Sequence, residues 1–130
     1  MLTALAGPAT NFLLAVSFAL LLWLALNFVQ PSFWIEHTSL LYGVAAFCKA
    51  GVIINLSLGW LNLLPVPPLD GSKILAYFLP RSWLINYLSL EKYGIIILLI
   101  LLSTRLLDKI LTPLIFDSAG FLLAFLKQYS

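Results

Sequence analysis

The stretch Asn62-Leu63-Leu64-Pro65-Val66-Pro67-Pro68-Leu69-Asp70-Gly71 sets an amide, three prolines and a carboxylate at the end of a long apolar segment. Prolines at 65, 67 and 68 withhold three backbone N–H donors and fix φ, so a helix arriving through Leu64 is expected to give way to an extended path. Asp70 follows directly on that break. In a chain this hydrophobic, a carboxylate beside a broken helix reads as a functional group facing a cavity. The alternative is that the prolines mark an ordinary membrane exit and Asp70 caps the next helix. Asn55 and Asn62 are seven residues apart, two turns on one helical face, so both amides can point into one interior or pair with neighbouring helices. Asn11, an amide just inside another apolar run, also calls for a partner. Glu36-His37 invites a metal-site reading, but His37 is the only histidine in the chain and reads as a solvated loop residue. Cys48, in Phe47-Cys48-Lys49, reads as a small packed side chain.

The elements that must position these residues are membrane helices. The chain is 62% hydrophobic and 9% charged, far from the soluble average, so the expected fold is all-α: a polytopic membrane helix bundle. Seven scattered basic residues against five acids give a net charge of +2, which makes no case for nucleic-acid binding and forms no polybasic lipid patch. One membrane domain is expected over 1–130, with three spans at 9–29, 46–64 and 93–111, short interfacial helices over 72–88 and a C-terminal helix over 113–127. The first apolar run has no basic leader and no convincing cleavage site, so it is read as a permanent span. Gly7-Pro8 punctuates its start, with Pro8 suited to a first helical turn and Gly7 to close backbone approach. Gln30 to Ser39 reads as an interfacial loop, and Lys49 as a snorkelling cation at the start of the second span. Thr112-Pro113 reads as the start of the last helix. Lys73, Arg81 and Lys92 lie between the second and third spans, against no lysine or arginine in residues 30–39. This multi-pass chain is therefore expected to hold its 72–92 loop in the cytoplasm.

Residues 62–71 closely resemble the Asn-x-x-Pro-x-Pro-x-x-Asp-Gly element of the site-2 protease family, the M50 intramembrane zinc metallopeptidases. Gly7-Pro8-Ala9-Thr10-Asn11 resembles that family's Gly-Pro-x-x-Asn helix start. The resemblance covers residues 5–72 well and extends more loosely to Leu90-Glu91-Lys92-Tyr93-Gly94. It implies that Asp70 is the third zinc ligand, completing a site whose two histidines and general-base glutamate come from His-Glu-x-x-His on an earlier helix. It also implies that Asn62 positions the substrate backbone or developing oxyanion. On the same resemblance, Pro65, Val66 and Pro67 are expected to form the edge that meets an unwound substrate helix, and Gly7, Pro8, Asn11 and Gly71 to be structural.

The chain departs from that pattern in containing no His-Glu-x-x-His, with Met1 only a few residues before Gly7, and in placing Ser72 where the family often has a second glycine. Zinc is therefore expected for the complete family site and not for this chain alone. The expected partners are a membrane-protein substrate helix, the lipid bilayer and an N-terminal half carrying His-Glu-x-x-His. The resulting expectation is part of an intramembrane zinc metalloprotease, as a fragment, a late-start version or a split half, inactive by itself. One alternative is a catalytically inactive membrane adaptor of the same fold. The other is a transporter-like protein with a broken helix, against which stands the lack of a second proline-interrupted segment.

Overall fold

Helix α1 (Leu2–Phe28) is drawn almost wholly from Ala, Leu and other apolar residues, without an acidic or basic residue at either end. The computed structural model describes the backbone of residues 2–128 and the side chains of residues 3–125. After α1 come α2 (Pro31–Glu36), α3 (Thr38–Asn62), α4 (Asp70–Phe78), α5 (Arg81–Ser89), a 3-10 turn (Leu90–Tyr93), α6 (Gly94–Ser103) and α7 (Leu106–Gln128). No strand occurs among the described residues. Thr3–Phe28, Thr38–Asn62 and Arg81–Ser103 are each long and apolar enough to cross a membrane.

α1 and α3 run antiparallel, because Phe12 of α1 meets Gly59 of α3 while Phe18, further along α1, meets Gly51, earlier in α3. Lipid tails are as apolar as leucine, so helices in a bilayer associate through close packing and polar contacts rather than through release of water. The sequence of the pair follows that rule. Ala15 and Ala19 of α1 and Val52 and Leu56 of α3 are buried together with Ala119 of α7. A Cβ on Gly51 would stand 2.5 Å from the Phe18 ring, and one on Gly59 would stand 2.9 Å from the Phe12 ring. Each glycine is thus a notch that receives a phenylalanine. α7 braces one side of the pair: the Trp60 indole Nε1 donates to Ser118 Oγ at 3.1 Å, and the Trp60 ring stands edge-on to Phe12 at 5.4 Å. Gly51→Leu is expected to overfill its notch and lower stability by about 1–3 kcal/mol, read as an earlier loss of helical circular dichroism in a detergent titration.

Several local readings of the sequence give way here. Pro8 is not in a first turn; α1 already starts at Leu2, and Pro8 lies inside it, buried. The preceding Ala4-Leu5-Ala6 are strong helix formers, and a membrane helix tolerates an internal proline when packing supports it. Residues 31–36, read as loop, form α2 with Pro31 at its first turn, the position where a missing N–H is harmless. Segment 93–111 is not one helix. α6 ends at Ser103, and Arg105 adopts φ 55°, a left-handed conformation that turns the chain into α7. The third candidate span instead joins α5 to α6, drawing in residues 81–89 that read as an interfacial helix. Pro113 likewise lies within α7 rather than at its start.

Candidate functional site around Asp70

α3 ends in tightened turns: the Leu63 N–H is shared by the Gly59 and Trp60 carbonyls at 3.2 Å each, and the Leu64 N–H donates to Leu61 O at 3.0 Å. The path beyond is bent rather than extended. The Leu69 N–H donates to Val66 O at 2.9 Å, closing a turn that contains the cis Pro67–Pro68 peptide. The three prolines stop α3 because they lack N–H groups for the helical ladder. α4 then begins at Asp70 itself, with Leu69 as its N-cap and no side-chain cap. Asp70 is therefore not a helix cap, and its charge lies in the first turn, where exposed N–H groups favour an anion. Ser72, buried in that first turn, donates its hydroxyl to Leu69 O at 2.7 Å.

Gly71 explains how α4 folds back so closely. A Cβ there would lie 2.2 Å from the Leu63 carbonyl oxygen and 2.4 Å from that of Leu64, so only glycine lets α4 cross the end of α3 at this distance. That crossing carries Asp70 onto α1. Asp70 Oδ2 faces Gly7, where a Cβ would stand 2.7 Å away, and Oδ1 accepts from Lys73 Nζ at 3.0 Å. The Asp70 side chain is 27% exposed and that of Lys73 63% exposed. An ion pair this wet holds the carboxylate only weakly and leaves it available to a stronger cation.

The amides share this side of the molecule. Asn11 follows Gly7 by one turn, on the same flank of α1. On α3 the buried stripe runs through Cys48, Val52, Leu56 and Gly59. At 3.6 residues per turn, Trp60 lies on its α7 side and Asn55 and Asn62 on the other. Asn55 Nδ2 donates to Gly51 O at 2.8 Å, which satisfies it within α3. The side-chain amides of Asn11 and Asn62 are half-buried and make no hydrogen bond among the described residues. Gly7, Asn11, Asn62 and Asp70 thus gather on the face of the α1–α3 pair turned away from α7. Pro65, Val66 and Pro67 lie between Asn62 and Asp70 in the bend.

His37 is not part of this gathering. Its ring stacks on Phe33 at 4.5 Å with Nδ1 at 3.0 Å from Phe33 O, and α2 is tied to α1 by Trp34 Nε1 donating to Ala25 O at 3.1 Å. Ala25 lies eighteen residues beyond Gly7, roughly 27 Å along the helix. No group of three His, Cys, Asp or Glu side chains able to hold a metal occurs among the described residues. As a zinc site the residues present are incomplete: they contribute one carboxylate.

Two residues behind the bend escaped sequence reasoning. The Tyr87 hydroxyl of α5 donates to Pro65 O at 2.9 Å. Gly94, noted only within a familiar run, starts α6 against the bend: a Cβ there would lie 2.2 Å from Pro67 O. Nothing local to either residue announces a partner more than twenty positions away.

A helical membrane bundle with a proline-broken second span and a carboxylate laid against a Gly-Pro helix defines the class. The chain belongs to peptidase family M50, whose sequence profile matches residues 1–103. Over 116 residues it is 32% identical to the protein named "Putative zinc metalloprotease YwhC" of Bacillus subtilis (strain 168), covering 88% of this chain and 50% of that protein. Over 90 residues it is 41% identical to "Putative zinc metalloprotease MJ0611" of Methanocaldococcus jannaschii, covering 69% of this chain and 40% of that protein. The chain thus spans half or less of the length of these relatives. No solved structure matches it.

Proposed function

We propose that this chain supplies the substrate-facing half of an intramembrane zinc metalloprotease, which hydrolyses peptide bonds in or near transmembrane helices. The observation that carries this reading is Asp70 Oδ2 laid against Gly7 on a flank that also holds the side-chain amides of Asn11 and Asn62, which make no hydrogen bond among the described residues. Polar side chains left without partners in a membrane bundle call for a neighbour. The proposed neighbour is a helix with His-Glu-x-x-His, contributing two ligands and a general base. Zinc, when bound there, supplies Lewis-acid polarisation of a peptide carbonyl and a water acidic enough to ionise near neutral pH. In that site Asp70 holds the metal, Asn62 donates its amide to the substrate carbonyl as negative charge develops on it, and residues 65–67 receive unwound substrate backbone. The segment from Asp70 to Arg81, at the start of the third candidate span, lies on the cytoplasmic side, as the positions of Lys73 and Arg81 suggest.

The test is reconstitution in lipid vesicles with a tagged single-pass substrate containing a central helix-breaking residue. Cleavage is expected only when a segment carrying His-Glu-x-x-His is supplied with this chain. Cleavage by the chain unaided would sink this account of the site, and substrate binding without cleavage in the supplemented mixture would mark an adaptor. In the active mixture, Asn62→Ala is expected to lower kcat about a hundredfold with little change in KM, the signature of a contact made chiefly in the transition state.

A further inference from the structure

Among residues 65–68 the chain retains one backbone donor. Pro65, Pro67 and Pro68 have no N–H, and the N–H of Val66 makes no hydrogen bond among the described residues. An unpaired donor next to a membrane interior calls for an acceptor. Its direction is set from behind. The only cis peptide among the described residues is Pro67–Pro68, so the Pro65–Val66 peptide is trans and planar, with the Pro65 carbonyl and the Val66 N–H pointing opposite ways. The Tyr87 hydroxyl donates to that carbonyl at 2.9 Å, and Ser72 stands beside the phenol. α5 is thus pinned to one edge of the peptide plane, and the free N–H is turned away from α5. The Leu69 N–H holds the carbonyl of the next peptide, Val66–Pro67, and Gly94 packs against Pro67 O of the one after, so the bend on this side of Val66 is held as well.

We propose that Tyr87 is a positioning residue for substrate: by holding the Pro65 carbonyl it aims the Val66 N–H as the single main-chain donor to a carbonyl of the unwound substrate segment. This rests on the reading of residues 65–67 as the substrate edge. It adds the atom that makes the contact and the side chain that orients it. The class of ligand follows from the donor count. One N–H donates to one carbonyl, so the partner is a short non-helical break in an otherwise helical segment rather than a long added strand, which would need a donor at every second residue.

The chain has five valines, so selective ¹⁵N-valine labelling in detergent micelles gives a spectrum simple enough to follow Val66, assigned by the peak lost in Val66→Ile. The probe is a synthetic single-pass peptide, Leu- and Ala-rich with a central Asn-Gly break, and a peptide without the break serves as control. The broken peptide is expected to move the Val66 amide signal and slow its hydrogen exchange while leaving the other valines unchanged. Tyr87→Phe, which removes only the hydroxyl, is expected to weaken peptide affinity about three- to tenfold, the range for loss of one oriented hydrogen bond, and to abolish most of the Val66 shift at saturation. A merely structural role for Tyr87 would lower thermal stability without changing the saturated Val66 shift, and that result overturns the proposal. Val66→Pro separates the levels. If it weakens binding while Tyr87→Phe does not, the edge stands and the positioning role falls. If neither variant weakens binding, the substrate-edge reading itself falls. Should Tyr87→Phe lose helix content, the wild-type spectrum decides: peptide-induced protection of the Val66 amide supports the proposal, and an unmoved signal overturns it.

Discussion

Replacing Asp70 by alanine is expected to lower zinc affinity about a hundredfold or more once this chain is combined with a His-Glu-x-x-His segment. Four-ligand structural zinc sites bind with about 10–16 kcal/mol, or roughly 3 kcal/mol per ligand, and every 1.4 kcal/mol is a factor of ten. Competition with a chromophoric chelator reads this directly. Asp70→Asn is the sharper variant, because it keeps the shape beside Gly7 and removes the anion. Lys73→Ala should do the opposite of a structural loss. Its ammonium competes with the metal for Oδ1 at 3.0 Å, yet it is mostly exposed and bonded only weakly, so its removal should leave affinity unchanged or slightly higher. Equal zinc affinity in wild type and Asp70→Asn would remove Asp70 from the ligand set.

The second large effect is expected at Gly71. An alanine methyl there meets two carbonyl oxygens of the backbone, at 2.2 and 2.4 Å, and neither can rotate away as a side chain would. α4 must lift from the end of α3, taking Asp70 off Gly7. We expect Gly71→Ala to lower stability by about 3 kcal/mol or more, at the upper end of overpacking changes, and to impair zinc binding even though Asp70 is still present. The contrast is Gly120→Ala in α7, where a Cβ meets nothing within 4 Å and replacing glycine inside a helix should raise stability by about 0.5–1 kcal/mol. Both are read by denaturant titration of the detergent-solubilised chain. Similar stability for the two variants would mean that the close crossing of α3 by α4 is absent in solution.

The parts of this architecture that could be read from the chain are those encoded by local physics. Three prolines in four residues stop a helix in any surroundings, and uncharged runs of apolar residues make spans in any bilayer. Asp70 stood out because a carboxylate is rare in such a composition. What could not be read depends on which segments meet. Pro8 and Pro113 carry the residue type of a helix start, yet both lie inside helices, because packing on either side outweighs one missing backbone bond. The reversal at Arg105 has no glycine to announce it. Gly7 could be read as punctuation, whereas its service is to leave room for a carboxylate sixty-three residues later. Tyr87 is one aromatic in an amphipathic segment until α5 is laid against Pro65.

The scarcity of donors in the 65–68 bend also bears on how copies of this chain behave when crowded in a membrane. An exposed length of non-helical backbone with a full row of N–H and C=O groups would template a second copy of itself, and a third, into a growing sheet. Here three donors are absent, the Val66 carbonyl is closed within a turn and the Pro65 carbonyl is covered by Tyr87. A bend with a single free donor cannot propagate an assembly, so on the proposed reading it can stay open to a substrate without seeding aggregates.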